Sequence, residues 1–536
     1  MKFRKTRGIR RPSGLFAMSG NRRFTLNTNQ SRRIMQMKKA LALILALLFV
    51  LSLAGCKKKT GGNETGNQGE FVYGLATEID NFDPFVATTA DAKSIYFNIY
   101  EGLTRVSPDG TFVPAVASEV TVSDDTKVYT FKLRDNVYFH NGNRVTMEDV
   151  LYSVKHAMDS ALTGYSNIAS FRTEDSKTLV ITLTNGSTDF LANASAPIIP
   201  ADSDNNGEHA LKPIGTGPYA FSEYAVQDHV TLVKNEQYWG EPASLDKITI
   251  RFIASSSELL VNYQAGAIDG FTANAGITEQ VDKNTSVINV GNSNAVQMLA
   301  LNNSAAPFDN EKVRKAVCYA VNSDEIIDLV NYGYGVKIGS AVIPGLSAFF
   351  DDSLPSVYDV DPEKAKTLLK EAGYPDGFSF TVKVPSVYQV HVDTAQVIIN
   401  QLAKVGITMN IQEVDWPTWL EKVYTNRDYE ATIISVDGSI ASPTAFLSRY
   451  VSDAHNNFVN FKSPAFDAVY AKAVAAVDQS EREQLFKEAQ KVLSDEAASV
   501  YIQDISNILV YRNDFTGFKD YPLYAVDFAA ISRVAK

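Results

Sequence analysis

The chain of 536 residues contains few of the residue spacings that support catalysis or metal binding. Its six histidines are scattered, and none belongs to an HExxH pair or to a comparably close group of zinc ligands. Neither a GxSxG nucleophile turn nor a GxxxxGKS/T phosphate-binding loop occurs. Segment 202–207 begins like a calcium loop, but Pro213 stands at the twelfth position, where that loop requires an acid. These residue types predict a protein that is not an enzyme and has no metal site or cofactor.

The elements that would position a binding site are marked by turn and cap signals. Ser107-Pro108-Asp109-Gly110 predicts a turn, because Pro presets φ and Gly accepts positive φ. The alternation of apolar and polar residues over 128–133 predicts a half-buried strand. Thr146 stands three residues before Asp149 and predicts a capping box at the start of a helix. This part of the chain therefore has the pattern of a structural scaffold.

Similar signals continue along the second half of the chain. Asp361 and Pro362 predict a helix start, and Gly373 predicts its end. Apolar periodicity predicts a helix over 396–405 and a strand over 407–414, and a capping box is predicted at 480–483. Cys318 lies among apolar residues of a helical pattern, so we expect a buried and unreactive thiol.

Charge is distributed unevenly along the sequence. Residues 1–59 hold 15 of the 50 Lys and Arg residues and no acid, so the formal net charge of −11 conceals a net charge of −26 in the remainder. An acidic body lacks the basic surface that nucleic-acid binding needs. The length and the 45% hydrophobic share indicate a globular protein of two or three domains.

The N-terminal region has the pattern of a bacterial lipoprotein signal. Lys38-Lys39 precede an apolar run over 40–51, which is shorter than the roughly 18 residues expected for a membrane-spanning helix. Leu53-Ala54-Gly55-Cys56 resembles a lipobox, so Cys56 is predicted to be acylated and held at the outer face of the cell membrane. A signal anchor with an incidental cysteine is the alternative.

The segments before and after the apolar run are interpreted as parts of the same N-terminal region. Residues 1–55 are interpreted as an N-terminal extension and signal peptide, with Met1, Met35 and Met37 all open as the start. Segment 56–69 is polar and rich in Gly, which predicts a flexible tether. The folded body is expected to begin near Glu70.

Many short segments together resemble the signature of the family 5 extracytoplasmic solute-binding proteins of ABC importers, which include the oligopeptide- and dipeptide-binding proteins. The resemblance covers nearly all of residues 70–536. The segments that carry it include Tyr100-Glu101-Gly102-Leu103, Tyr129-Thr130-Phe131-Lys132-Leu133-Arg134, Phe139-His140-Asn141-Gly142, Pro213-Ile214-Gly215-Thr216-Gly217-Pro218-Tyr219, Lys364-Ala365-Lys366 and Lys462-Ser463-Pro464-Ala465-Phe466-Asp467.

The resemblance implies an α/β protein with a two-lobed, periplasmic-binding-protein-like fold, a hinge and an additional third domain (cluster C type). Lobe I would comprise 70–100, 213–300 and 506–536. The extra domain II would comprise 101–212, and lobe III would comprise 301–505.

The resemblance also implies ligand contacts in a loop before the first helix, at an aromatic residue late in the chain and in the segment that follows a strand near 431. The residues at these places are Thr88, Thr89, Ala90, Trp416, Ser435, Asp437, Gly438 and Ser439. Helix capping by 88–90 and core packing of Trp416 and Trp419 are the structural alternatives.

The amino-anchoring position departs from the pattern of peptide binders. In those relatives an Asp four residues before a Pro pairs with the α-amino group of the peptide. Here Ser439 holds that position before Pro443, and Asp437 lies two residues earlier. Either a local shift lets Asp437 serve, or the anchor is absent.

The function implied by the resemblance is capture of a small solute, an oligopeptide above all, by hinge closure. A lipid-anchored, extracytoplasmic monomer would then deliver this solute to the permease subunits of an ABC importer. The alternatives are an oligosaccharide, nickel, haem or another small solute as ligand, a sensing co-receptor without transport, and a secreted hydrolase.

Overall fold

The computed structural model describes residues 69–76, 79, 81–86, 90–160, 162, 164–201, 212–438, 440–523 and 525–535. The predicted signal, the lipobox and all of the tether except Gly69 lie outside these residues. Of the helices that can be described, none combines the length and apolar character needed to cross a membrane.

The described residues form strands, helices and short helical turns in a mixed order. The strands are β1 (Glu70–Leu75), β2 (Thr104–Val106), β3 (Phe112–Pro114), β4 (Ala117–Val122), β5 (Val128–Leu133), β6 (Ile168–Thr173), β7 (Thr178–Leu183), β8 (Tyr219–Ala225), β9 (His229–Lys234), β10 (Lys247–Phe252), β11 (Gly270–Ala273), β12 (Ser286–Gly291), β13 (Ala295–Leu301), β14 (Gly335–Lys337), β15 (Ser379–Pro385), β16 (Thr408–Val414), β17 (Ala431–Asp437), β18 (Val500–Ile505), β19 (Asn507–Arg512), β20 (Phe515–Thr516) and β21 (Ser532–Arg533). The α-helices are α1 (Ala90–Ile99), α2 (Met147–Asp159), α3 (Phe190–Asn193), α4 (Ser256–Gln264), α5 (Ala275–Thr278), α6 (Glu311–Ala320), α7 (Ser323–Asn331), α8 (Pro362–Glu371), α9 (Gln389–Ala403), α10 (Trp416–Trp419), α11 (Pro443–Leu447), α12 (Pro464–Ala475) and α13 (Gln479–Asp495). A π-helical turn at Leu420–Thr425 continues α10, and 3₁₀ turns occupy Tyr165–Asn167, Leu354–Ser356, Ser448–Tyr450 and Phe528–Ala530.

Two large sheets and one small sheet organise these elements. The first sheet has the strand order β12-β19-β11-β1-β10-β9-β8, and the second has the order β14-β18-β13-β17-β15-β16. The small sheet, β4-β5-β7-β6, is antiparallel throughout. This arrangement is the predicted α/β architecture.

The buried side chains show which sheets are packed together. Tyr129 and Phe131 of the small sheet lie in the same continuous apolar core as Tyr219 and Leu232 of the first sheet. The second sheet has its own cores, one of which packs Val382 against α9 and α6. The first and small sheets therefore share one core, whereas the second sheet packs into other clusters, one of which also buries Val106 of β2.

The chain passes between the first and second sheets at two neighbouring places. Segment 292–294 joins β12 to β13, and Ser506 joins β18 to β19. Gly291 pairs with Asn507 on one side of this double crossing, and Val296 pairs with Asp504 on the other. Because β13 belongs to the second sheet, the change of sheet lies at 292–294 and not at the lobe boundary of 300 that the sequence suggested.

The local cap signals are confirmed in most places. Thr146 and Asp149 form the predicted capping box of α2, and Asp361 caps α8 by accepting a hydrogen bond from the backbone N–H of Lys364. Cys318 is buried, and burial raises the pKa of its thiol to about 12.

Two helix starts differ from the sequence prediction. Helix α9 begins at Gln389, seven residues before 396, because Val392 and Ala395 are buried against the second sheet and tertiary packing outweighs weak propensity. Helix α13 is capped by Asp478, which accepts from the backbone N–H of Glu481, so the capping box predicted at 480 is wrong.

Gly215 marks a close approach of two backbone segments. A Cβ atom at this position would lie 2.0 Å from the carbonyl oxygen of Ile99, where the chain returns from the small sheet to the first sheet. We expect Gly215→Ala to lower the free energy of unfolding by about 1–3 kcal/mol, since the backbone must move to accept the methyl group. Chemical denaturation followed by circular dichroism measures this change.

Gly276→Ala is the matched control, because the nearest atom to a Cβ there is 3.5 Å away, on the Tyr332 ring. Equal stability of the two variants would contradict the close packing at Gly215.

Candidate functional site

The carboxyl ends of parallel strands define one edge of each large sheet. β15, β16 and β17 are parallel, and β18 shares their direction because both β17 and β18 are antiparallel to β13. In the first sheet, β1, β10, β11 and β12 share one direction. β12 and β18 leave their sheets at these edges to enter the opposite sheet, so the two edges face each other across the double crossing. Open α/β sheets bind ligands outside the carboxyl ends of their strands, which makes this gap the candidate site.

Three side chains follow neighbouring strand ends at the edge of the second sheet. Asp437 is the last residue of β17 and is exposed, Tyr388 follows β15, and Trp416 follows β16. In the strand order β17-β15-β16, the backbones of β17 and β16 are two strand spacings, or about 10 Å, apart. The edge therefore offers a carboxylate at one point and aromatic rings a short distance away.

The two tryptophans near this edge differ in burial. Trp419 is buried, and its indole N–H donates to the hydroxyl of Thr432 over 2.9 Å. Trp416 is half-buried and stacks on Trp419 at a centroid distance of 5.1 Å, with the Tyr388 ring edge-on at 5.6 Å. Asp415 fixes the start of this helix by accepting from the backbone N–H of Thr418. Trp419 is thus a core residue, whereas Trp416 is held at the edge.

A buried hydrogen-bond network supports the end of β17. The backbone N–H of Ser435 donates to Nε2 of His391 over 3.2 Å, and Nδ1 of His391 lies 3.0 Å from the side-chain amide of Gln297. Gln503 donates to Gln297 over 2.7 Å and extends the network to β18. Burial lowers the pKa of His391 to about 4, so its ring is neutral near pH 7. Both ring nitrogens therefore face N–H donors, from Ser435 and from Gln297, and the neutral ring can accept from only one of them.

A buried carboxyl group lies at the double crossing. Oδ1 of Asp504 accepts from the hydroxyl of Ser293 over 2.7 Å and from the backbone N–H of the same residue over 3.2 Å. Oδ2 is buried and has no hydrogen-bond partner among the described residues. Burial raises the pKa of this carboxyl to about 6, although the bonds from Ser293 oppose the shift.

The segment after β17 is held from two sides. Gly438 is buried, and a Cβ there would lie 2.7 Å from the Phe446 ring. Its carbonyl oxygen accepts from the side-chain amide of Asn294 at the crossing over 3.3 Å. Arg449 is half-buried and donates to the carbonyl oxygen of Asp437 over 3.3 Å, and burial lowers the pKa of its guanidinium. The strand end therefore carries charges of both signs.

The residues proposed from the sequence are brought together only in part. Ser435, Asp437 and Gly438 lie at the end of β17, and the Ser435 hydroxyl is buried without a hydrogen-bond partner among the described residues. Ala90 is the first residue of α1, which follows the carboxyl end of β1. Thr88, Thr89 and Ser439 lie outside the described residues.

Several residues at the edge were missed from the sequence. These are His391, Gln297, Gln503, Asn294, Asp504 and Arg449, which come from different strands and helices. A lone buried polar residue has no local spacing signal, so no pattern in the sequence could have indicated this network.

The raised pKa of Asp504 predicts a pH dependence of stability. A carboxyl whose folded pKa is about 6 stabilises the fold fully below its usual unfolded pKa, and that contribution is lost as the pH rises through 6. Asp504→Asn keeps an acceptor for Ser293 without a charge, so we expect a gain over the wild type of about 3 kcal/mol at pH 8 and almost none at pH 4. Urea denaturation across this pH range measures the difference. A difference that does not change with pH would contradict the buried, ionisable state of this carboxyl.

Comparison with known proteins identifies relatives over most of the chain. The profile of the bacterial extracellular solute-binding proteins, family 5 (middle), matches residues 111–458. Heme-binding protein A of Haemophilus influenzae is 28% identical, with 86% of this chain and 93% of that protein covered. Oligopeptide-binding protein OppA of Bacillus subtilis is 26% identical over the same shares.

A solved structure shares both the fold and recognisable sequence. The periplasmic binding protein DppA of Helicobacter pylori, in complex with the peptide STSA, superposes with a TM-score of 0.72 at 29% identity. The match covers 87% of this chain and 98% of that protein. The two facing sheet edges, the double crossing and these matches agree, and the chain belongs to the family 5 extracellular solute-binding proteins, the solute-binding components of ABC importers.

Proposed function

We propose that this protein captures a short peptide with a free amino terminus by closure about the double crossing and delivers it to the permease of an ABC importer. The observation that carries the proposal is the exposed Asp437 carboxylate at the end of β17, two strand spacings, or about 10 Å between backbones, from β16, the strand that precedes Trp416. An extended peptide advances about 3.3 Å per residue, so some three residues span this distance. The binding role is that of the family, and the ligand class is our proposal.

Charge pairing explains why a peptide suits this edge. Closure removes water from the ligand, and a buried ammonium then needs a counter-charge. Among the described residues, no Lys, Arg or His lies within ion-pair distance of the Asp437 carboxylate, which is exposed, and the charge that it acts on most directly is that of Arg449. We expect this carboxylate to pair with a ligand ammonium. Arg449 supplies a positive charge beside the same strand end. A ligand that carries both signs matches this pair better than a neutral sugar does.

The aromatic residues supply the second part of the proposed contact. Trp416 and Tyr388 meet edge to face at 5.6 Å, and stacking on Trp419 restricts the motion of Trp416. A fixed aromatic surface binds varied apolar side chains with little loss of conformational entropy. Main-chain contacts from the loop at Thr88, Thr89 and Ala90, and from Ser435, Gly438 and Ser439, complete the proposed site and would tolerate different peptide sequences.

Asp437→Asn tests the amino anchor. Removing one partner of a buried charge pair costs about 3–5 kcal/mol, so we expect affinity for a tripeptide to fall by roughly 100-fold or more. N-acetylation of the peptide is expected to weaken binding to the wild type to a similar degree, with little further effect on the variant. Isothermal titration calorimetry measures all four combinations.

Asp376→Asn is the control, because Asp376 is exposed in the turn before the amino end of β15, at the opposite edge of the same sheet. Equal affinity of Asp437→Asn and the wild type would refute the anchor. Binding of haem or a sugar without any binding of peptides would refute the ligand class.

The proposed location follows from the N-terminal sequence. We propose that acylated Cys56 holds the protein on the outer face of the cell membrane, with 56–69 as a tether and the body as a monomer without enzymatic activity. In this arrangement the ligand site would stay within reach of a permease in the same membrane.

Cys56→Ser tests the anchor. We expect the variant to move from the membrane fraction to the soluble extracytoplasmic fraction and to lack the mass of the acyl chains, because burial of those chains supplies the membrane affinity. Fractionation with intact-mass spectrometry measures both. Cys318→Ser, at the buried cysteine, is the control and is expected to stay on the membrane. Retention of Cys56→Ser on the membrane with unchanged mass would contradict lipidation.

A further inference from the structure

The molecule contains two bodies that meet away from the double crossing. The first and small sheets share one apolar core, and the second sheet has separate cores. The β2–β3 hairpin reaches across, since Val106 is buried in the same cluster as Ile343 and Leu346 of the second body. Contacts of this kind form or break when the two bodies rotate about the crossing.

One contact between the bodies is a buried ion pair. Asp189, in the turn before α3 of the first body, accepts a hydrogen bond from the guanidinium of Arg482 on α13 over 2.6 Å. The two side chains are only 10% and 7% exposed. Phe349 and Phe486 lie against the guanidinium with their ring centroids 4.9 Å away. The pair is therefore shielded from water while the bodies are in contact.

The same carboxylate oxygen also reaches the ligand-site segment. Oδ1 of Asp189 accepts a second hydrogen bond from the hydroxyl of Ser442 over 2.6 Å. Ser442 stands five residues after Asp437, and its hydroxyl accepts from the backbone N–H of Thr444 over 3.3 Å. Asn294 at the crossing holds the other end of this segment through the carbonyl oxygen of Gly438. Asp189 of the first body is thus hydrogen-bonded to two places in the second body: helix α13 and the segment that would touch the ligand.

We propose that Asp189 is a positioning residue for ligand binding, a latch that engages Arg482 and Ser442 on closure and fixes the segment after Asp437. This inference rests on closure about the double crossing, which is part of the proposed function. Its chemistry is specific, because the guanidinium and the hydroxyl both require an acceptor at one place. When the bodies separate, the Asp189 carboxylate, the Arg482 guanidinium and the Ser442 hydroxyl become exposed to water, which replaces each lost hydrogen bond.

The latch predicts an effect on closure and not on folding. Asp189→Asn leaves the Arg482 guanidinium buried without a counter-charge in the closed state only, since the open state hydrates it. We expect ligand dissociation to accelerate by about 10-fold or more, with the melting temperature of the ligand-free protein nearly unchanged. Stopped-flow fluorescence measures the first quantity, and differential scanning calorimetry measures the second.

A second readout is independent of the ligand. Small-angle scattering and hydrogen exchange of the ligand-free full chain report closure directly. Asp189→Asn is expected to increase the radius of gyration and the exchange rates at 187–193 and 440–447. Asp189→Glu, which keeps the charge, is expected to restore part of the wild-type behaviour.

Asp135→Asn is the matched control, because Asp135 pairs with Arg144 at an exposed site within the first body. Unchanged scattering, exchange and dissociation in Asp189→Asn would overturn the latch. A lowered melting temperature with unchanged scattering would also overturn it, because that result assigns Asp189 a purely structural role. Failure of peptides to bind the wild type would refute the proposed ligand while the ligand-free readouts still decide the latch.

Discussion

The structure depends on two adjacent strands that cross together from one sheet to the other. β12 continues toward β13 and β18 continues toward β19, and each crossing leaves a sheet at its carboxyl edge. This connectivity makes the two edges face each other and places the candidate ligand site beside the double crossing. Asp504 is buried at that crossing, and its Oδ2 has no hydrogen-bond partner among the described residues. Because burial raises the pKa of this carboxyl, the stability of the crossing is expected to depend on pH. Gln503, the next residue back, begins the network that holds Ser435 in place through Gln297 and His391.

Local features of the chain were predictable, because they depend on neighbours in sequence. The strand at 128–133, the capping box of Thr146 and the cap at Asp361 each follow from residues within a few positions. The family resemblance supplied the two-lobed architecture, which no local pattern contains. Helix α9 shows the limit of local reasoning, since its first two turns depend on burial against the second sheet.

The candidate site and the hydrogen-bonded residues that support it were harder to predict from the sequence, because these residues are distant from one another along the chain. Asp189 and Arg482 are 293 positions apart, and Gln297 and Gln503 are 206 positions apart. Neither pair has a spacing that a sequence pattern could detect, and only the folded chain joins them. Trp416 and Trp419 illustrate the same limit at short range: three residues apart, one is half-buried at the edge and the other is in the core.

The central claim is that the facing edges close around a peptide, and the most direct test is to identify what the protein carries. Native mass spectrometry of the full chain from a peptide-rich host, before and after mild unfolding, would release and weigh any bound ligand. We expect a heterogeneous set of released masses in the short-peptide range. We also expect a peptide mixture at 100 times its Kd to stabilise the stripped protein by about 2.7 kcal/mol. A single released non-peptide mass, or an unshifted protein mass with no stabilisation by peptides, would contradict closure around a peptide.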